Sequence, residues 1–162
     1  MDTAPFGRLF FLTANKEEIM DTNQAELQNT ETGVQNIIYF EEGILGFEDI
    51  KEYLLYHEEE NGIIWSLQAA HSDIPSFVVV DPYPIVNDYS PVFPQSELDY
   101  FGETDAENLC VLVVAVIKPN LSESVINLKA PIVIDVNTKK AKQIILENSD
   151  YPIRYPLFSD KR

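Results

Sequence analysis

From Asn36 onward the chain consists of short apolar runs broken by turn-forming residues, a pattern that belongs to strands and not to helices. Ile37 to Phe40 is the first such run, and the Gly-bearing loop Glu41 to Gly46 follows it. Tyr53 to His57 and Ile63 to Ala69 flank Glu58-Glu59-Glu60-Asn61-Gly62, where Asn-Gly supplies the positive φ of a tight hairpin. Ser76 to Asp81 and Leu109 to Ile117 are almost continuously apolar and rich in valine, so both faces of those strands are expected to be covered. Between them Pro82, Pro84, Pro91 and Pro94 remove backbone donors, and Pro82 to Pro94 is expected to be an extended loop.

Ser96 to Phe101 reads as one short helix, with Ser96 as its cap, Asp99 at capping-box spacing and Gly102 as its stop. The last predicted strands are Val125 to Leu128, Ile132 to Val136 and Lys142 to Leu146, the final two joined by an Asn137-Thr138 turn. The tail Tyr151 to Phe158, with its aromatics and prolines, is expected to pack back across the strands without entering a ladder. Short strands at this spacing with little helix predict a small barrel or sandwich with one core. Upstream, Phe6 to Leu12 is strand-like, and the polar stretch after it is expected to be a poorly amphipathic helix over Lys16 to Asn29 or a loop.

Charge changes the picture more than composition does. Hydrophobic residues at 45% and charged residues at 23% argue for a globular chain and against disorder. No apolar run approaches the roughly 20 residues that span a bilayer. Asp2 and Arg8 in and before the first apolar stretch argue against a secretory signal. The single cysteine, Cys110, lies within an apolar run and is expected to be buried, in keeping with a reducing cytoplasm. Against 11 basic side chains stand 27 acidic ones, for a net charge of -16. Such a surface repels nucleic acid, whose phosphates need Lys and Arg, and attracts basic proteins.

Catalytic and metal chemistry finds little support in the residues. The two histidines, His57 and His71, stand beside no cysteine and at no ligand spacing, so no metal or cofactor is expected. His57 ends an apolar strand next to three glutamates and is expected to be exposed, with its charged form favoured. His71 and Ser72 are neighbours in an ordinary turn without a nucleophile elbow. Gly43-Ile44-Leu45-Gly46 lacks the Lys and Ser/Thr of a phosphate loop and follows Glu41 and Glu42. A protein-binding module is therefore the expectation, and an enzyme is not.

A series of motifs carries a resemblance. Phe40 precedes Glu42-Gly43-Ile44-Leu45-Gly46-Phe47-Glu48; then come Trp65-Ser66-Leu67-Gln68, Phe77-Val78-Val79-Val80-Asp81-Pro82 and Asp88-Tyr89. Val125-Ile126-Asn127-Leu128-Lys129-Ala130-Pro131-Ile132-Val133-Ile134, Lys142-Gln143-Ile144-Ile145-Leu146, Tyr151-Pro152 and Arg154-Tyr155-Pro156-Leu157 complete the series. In order and spacing the chain resembles the bacterial flagellar assembly factor family, FliW. The resemblance implies a mostly-β, single-domain, small β-barrel-like fold with one short helix, spanning 36–162. Residues 1–35 then form an N-terminal strand plus a polar insertion or extension. Family members open on a Thr-x-x-Phe-Gly strand close to the Ile-Ile-x-Phe strand, whereas Thr3-Ala4-Pro5-Phe6-Gly7 lies far upstream of Phe40 here. Either 12–35 is an insertion, or a start such as Met20 lies closer to the family's beginning.

The resemblance also implies a cytoplasmic, non-enzymatic protein with two partners: flagellin, held before export, and the translational repressor CsrA, antagonised when flagellin is drained. Phe47, Glu48, Asp88, Tyr89, Asn127, Arg154 and Tyr155 are the partner-binding residues expected on that basis, with no direct contact to nucleic acid or membrane. Gly43, Gly46, Asp81 and Pro82 are expected to shape turns, and Trp65 and Phe77 to be core. The alternatives are a chaperone for another exported protein and, in a different class, a small hydrolase built on His71 and Ser72.

Overall fold

The computed structural model describes residues 14–15, 37–57 and 62–158. Seven strands close a barrel in the order β6, β5, β4, β3, β2, β9, β8 and back to β6. In chain order these are β2 (Ile37–Phe40), β3 (Glu52–His57), β4 (Ile64–Ala69), β5 (Ser76–Val80), β6 (Leu109–Val116), β8 (Ile132–Asp135) and β9 (Lys140–Gln143). Every ladder of the ring is antiparallel except β2 with β9, which is parallel. β1 (Ala14–Asn15) runs parallel to Tyr56 and His57, where β3 extends past β2. The predicted strand Phe6 to Leu12, the polar stretch Lys16 to Asn29 and residues 58–61 of the β3–β4 turn lie outside the described residues.

The period-two pattern sorts the strands' side chains between two cores. Ile38 and Phe40, Tyr53 and Leu55, Trp65 and Leu67, and Cys110 and Leu112 point into the barrel, where each is nearly or fully buried. The alternate residues Val80, Leu109, Val111, Val113 and Val133 point outward, yet they too are buried. What covers them is the strap from Pro82 to Phe101, which lays Val86, Tyr89 and Phe101 on the outer face of β5, β6 and β8. This second core explains why β6 reads as one apolar run: both of its faces are dry. Cys110 sits inside the barrel, and burial pushes its thiol up to about 12.

Several boundaries differ from the sequence expectation, each for a local reason. The helix α1 (Gln95–Leu98) continues as a 3-10 turn, Asp99–Phe101; its cap is Pro94 and not Ser96, with no side-chain cap bond, while Gly102 stops it at φ +72°. β7 (Val125–Ile126) ends earlier than predicted because Asn127 Oδ1 accepts the amides of Lys129 and Ala130 at 3.0 and 3.2 Å, turning the chain. β9 starts at Lys140 and gives way after Gln143, where its partner becomes Pro131, which has no N–H to return. The ladder persists one-sidedly, with Ile144 N donating to Pro131 O and Leu146 N to Lys129 O. The tail does enter a ladder, contrary to expectation: β10 (Tyr155–Pro156) pairs with one edge of β7, whose other edge pairs with Ala115 and Val116 at the end of β6. Ile126 and Leu157, both buried, tie this flap to the outer core.

Candidate functional site: an apolar barrel end with an acidic rim

The strand directions place one set of connections at one barrel end: the β2–β3 loop 41–51, the β4–β5 turn 70–75, the loop after β6, and the chain leaving β9. Among the described residues, most of the exposed large apolar side chains belong to this end. They include Leu45 at 66% exposure, Phe47 at 41%, Ile74 at 78%, Val116 at 49% and Ile145 at 46%. Exposed acids share the same connections: Glu41, Glu42, Glu48 and Asp49 in the loop, Asp73 in the turn, and Glu123 and Glu147 beyond. An apolar centre framed by charge is the anatomy of a protein-docking surface.

The loop 41–51 is built to hold that surface still. Ile44 is buried in the inner core and anchors it, while Ile44 and Phe47 form a bridge that turns Leu45 outward. Gly43 and Gly46 adopt φ of +73° and +87°, a region that side chains with a Cβ rarely occupy. Glu48 Oε1 accepts the Gly46 amide at 2.7 Å, and that bond, with the Lys51 charge nearby, holds its carboxyl below the usual range. Leu45 N donates to Gln143 Oε1 at 2.9 Å, stitching the loop to the chain end of β9. The Phe47 ring meets Phe77 edge-on at 5.4 Å, so one face of it is held and the rest is exposed.

The residues expected to bind partners fall in different places. Phe47 and Glu48 stand on the apolar end, and Asp88 and Arg154 are exposed on the strap and beside β10. Tyr155 is half-buried against the outer core. Tyr89 is 4% exposed; its hydroxyl donates to Leu128 O at 2.9 Å and its ring lies against Tyr83 and Tyr151. It offers a partner no surface, and Asn127 is occupied by its own turn. Asp81 shapes a turn as expected, accepting the Tyr83 amide at 3.0 Å. Leu45, Ile74, Val116 and Ile145 carry no polar or aromatic signal and were not singled out by the sequence, although Gly43-Ile44-Leu45-Gly46 marks Leu45 as the tip of a tight loop.

The histidines behave differently from one another. His57, expected to be exposed and charged, is half-buried against Trp65, and burial lowers its pKa, favouring the neutral ring. His71 Nε2 contacts the Glu52 carboxylate, and Ser72 Oγ donates to Ile74 O at 2.6 Å, so the two do not form a nucleophile and base pair. Among the described residues no three His, Cys, Asp or Glu side chains are grouped to hold a metal ion. No helix among them is long and apolar enough to cross a membrane.

The family model for FliW protein matches residues 21–157. A flagellar assembly factor FliW from Thermotoga neapolitana is 40% identical over 145 residues, covering 86% of this chain and 92% of the relative. One from Caldicellulosiruptor saccharolyticus is 35% identical over 130 residues, covering 80% and 85%. A crystal structure of the flagellar assembly factor FliW superposes with a TM-score of 0.75 at 27% identity, over 82% of this chain and 92% of that one. With the family model covering most of the barrel and relatives of this identity along nearly their whole length, the chain belongs to the FliW family of flagellar assembly factors.

Proposed function

We propose that the protein works in the cytoplasm, without catalysis, by binding flagellin before export and by antagonising CsrA when flagellin is scarce. The observation that supports this reading best is the apolar barrel end framed by acids, on a chain of net charge -16. A repressor that binds RNA presents basic side chains to phosphates, and an acidic body docked beside them lowers their potential. Flagellar relatives supply the biological setting, and the loop 41–51 supplies a surface of fixed shape.

The test is calorimetric titration of the protein with CsrA and, separately, with monomeric flagellin, at low and moderate salt. Saturable binding to both is expected, with CsrA affinity falling as salt rises. Leu45→Ala is expected to weaken at least one partner by about 2 kcal/mol, a factor of roughly 30, while leaving the urea midpoint unchanged. Its side chain is two-thirds exposed and contributes little to either core. Binding of neither partner by the wild-type protein overturns the proposal.

A further inference from the structure

Gln143 is the polar member of an apolar row. Register places it opposite Ile132, and two residues back along the same strand Ala141 stands opposite Ile134. Ile132, Ile134 and Ala141 all belong to the inner core, so the half-buried Gln143 side chain points to that same face, at the barrel end that carries the apolar surface. A leucine or methionine would fill the place with no polar group to satisfy. The presence of an amide there is accounted for by what it bonds.

Both ends of that amide are used, by different parts of the chain. Oε1 accepts the Leu45 amide at 2.9 Å, while Nε2 donates to Ala130 O at 3.2 Å. One partner is a donor and the other an acceptor, so a single orientation of the amide serves both. The first bond reaches the tip of the loop 41–51, and the second reaches the turn that Asn127 makes ahead of β8. The loop's other holds lie to either side of its tip: Ile44 is buried in the inner core, the Phe47 ring rests on Phe77, and the Glu42 carboxylate lies 3.4 Å from Lys142. That carboxylate is 68% exposed, and an ion pair so open to water fixes little. Leu45 itself belongs to neither core, and among the described residues its tie to another strand is Gln143.

Resting on the reading of the apolar barrel end as the partner-docking surface, we propose that Gln143 is its positioning residue, whose amide spans Ala130 and Leu45 and so sets the loop tip in place. Ile145, the next residue on the same side of the chain, is an exposed apolar member of that end, so the bridge fixes Leu45 relative to it. A partner then meets a preformed surface and need not order the tip on binding, a cost that otherwise subtracts from affinity. Gln143 acts through Leu45 and touches no partner itself.

The experiment uses two variants of the full chain: Gln143→Met, which keeps the apolar row filled and removes both bonds, and Gln143→Asn, which keeps an amide but shortens its reach by a methylene. Exchange of the Leu45 amide with solvent, followed by NMR with no partner present, is expected to quicken roughly tenfold in both, while the amides of β4 exchange as in the wild type. Calorimetric titration with CsrA and with monomeric flagellin is expected to show a loss of roughly five- to tenfold toward the partner that Leu45→Ala weakens. Adding Gln143→Met to Leu45→Ala separates positioning from general support of the fold. A residue that acts through Leu45 costs less than about twofold in that background, whereas independent losses multiply. The proposal is overturned if Leu45 exchange is unchanged in both variants, if both bind the partner as the wild type does, or if the losses multiply. Wild-type protein that binds a partner no better than the Gln143 variants do removes only the positioning role; wild-type protein that binds neither partner removes the functional reading and this role with it.

Discussion

Tyr89→Ala is expected to cost about 3–5 kcal/mol of stability, the range for emptying a large buried aromatic site. The ring is the keystone of the strap: it lies 4.8 Å from Tyr151 and 5.9 Å from Tyr83, and its hydroxyl ties the strap to the β7–β8 connection through Leu128 O. Without it the outer faces of Val111, Val113 and Val133 lose their cover. Tyr89→Phe keeps the ring and removes one hydrogen bond, so about 1 kcal/mol is expected. Urea unfolding followed by the fluorescence of Trp65 measures both; equal losses in the two variants would show that the hydroxyl, and not the ring, holds the strap.

The same site predicts a response to alkali. Burial raises the phenols of Tyr83 and Tyr89 above their ordinary value, and neighbouring ionisable groups add to the effect. Because the folded pKa is the higher one, their contribution is fully present below the unfolded value of about 10 and is lost as pH rises above it. Each phenol is expected to remove about 1.4 kcal/mol per pH unit in that window. Urea midpoints at about pH 9 and pH 11 should therefore fall less in Tyr89→Phe than in the wild type.

Gly43→Ala is the second large effect, expected at about 2–4 kcal/mol together with loss of partner binding. At φ +73° a Cβ is strained to begin with, and here it would also meet the Glu48 backbone at 2.6–2.8 Å, which cannot move without reshaping the loop. Gly46 separates the two causes. It has φ +87° but nothing within 4 Å of the added atom, so Gly46→Ala is expected to cost only about 1–2 kcal/mol. Equal costs in the two variants would show that conformation alone, and not the close approach, matters at Gly43.

Much of the architecture was legible because strands announce themselves locally. Tyr53, Leu55, Trp65 and Leu67 alternate as a half-buried strand should, and the unbroken apolar run of β6 correctly demanded cover on both faces. What the strands do with one another was less legible. Nothing local in Ile37–Phe40 and Lys140–Gln143 says that they meet in parallel to shut the ring, or that Tyr155–Pro156 joins a ladder through two residues, one of them a proline.

The site was legible by type and not by place. Phe47 and Tyr89 carry the same signature, an aromatic in a loop beside an acid, yet one ring faces solvent and the other is buried under the strap. The difference is decided by the second core, which only the closed barrel creates. Leu45 and Ile74 stayed hidden for the converse reason, since a lone aliphatic residue in a turn reads as an ordinary core contribution until its neighbours are placed.

The parallel seam between β2 and β9 carries a kinetic consequence. It holds the ring together with two registered pairs, Tyr39 with Lys140 and Phe40 with Ala141, whereas β3 and β4 share five. When the molecule breathes, the cylinder should therefore unzip here first, by a sub-global opening that leaves the β3–β4–β5 sheet intact. Amide protons of β2 and β9 then exchange with solvent ahead of those in β4. Because the loop 41–51 hangs from one lip of that seam and the chain leaving β9 from the other, each such opening spreads the two halves of the docking end apart.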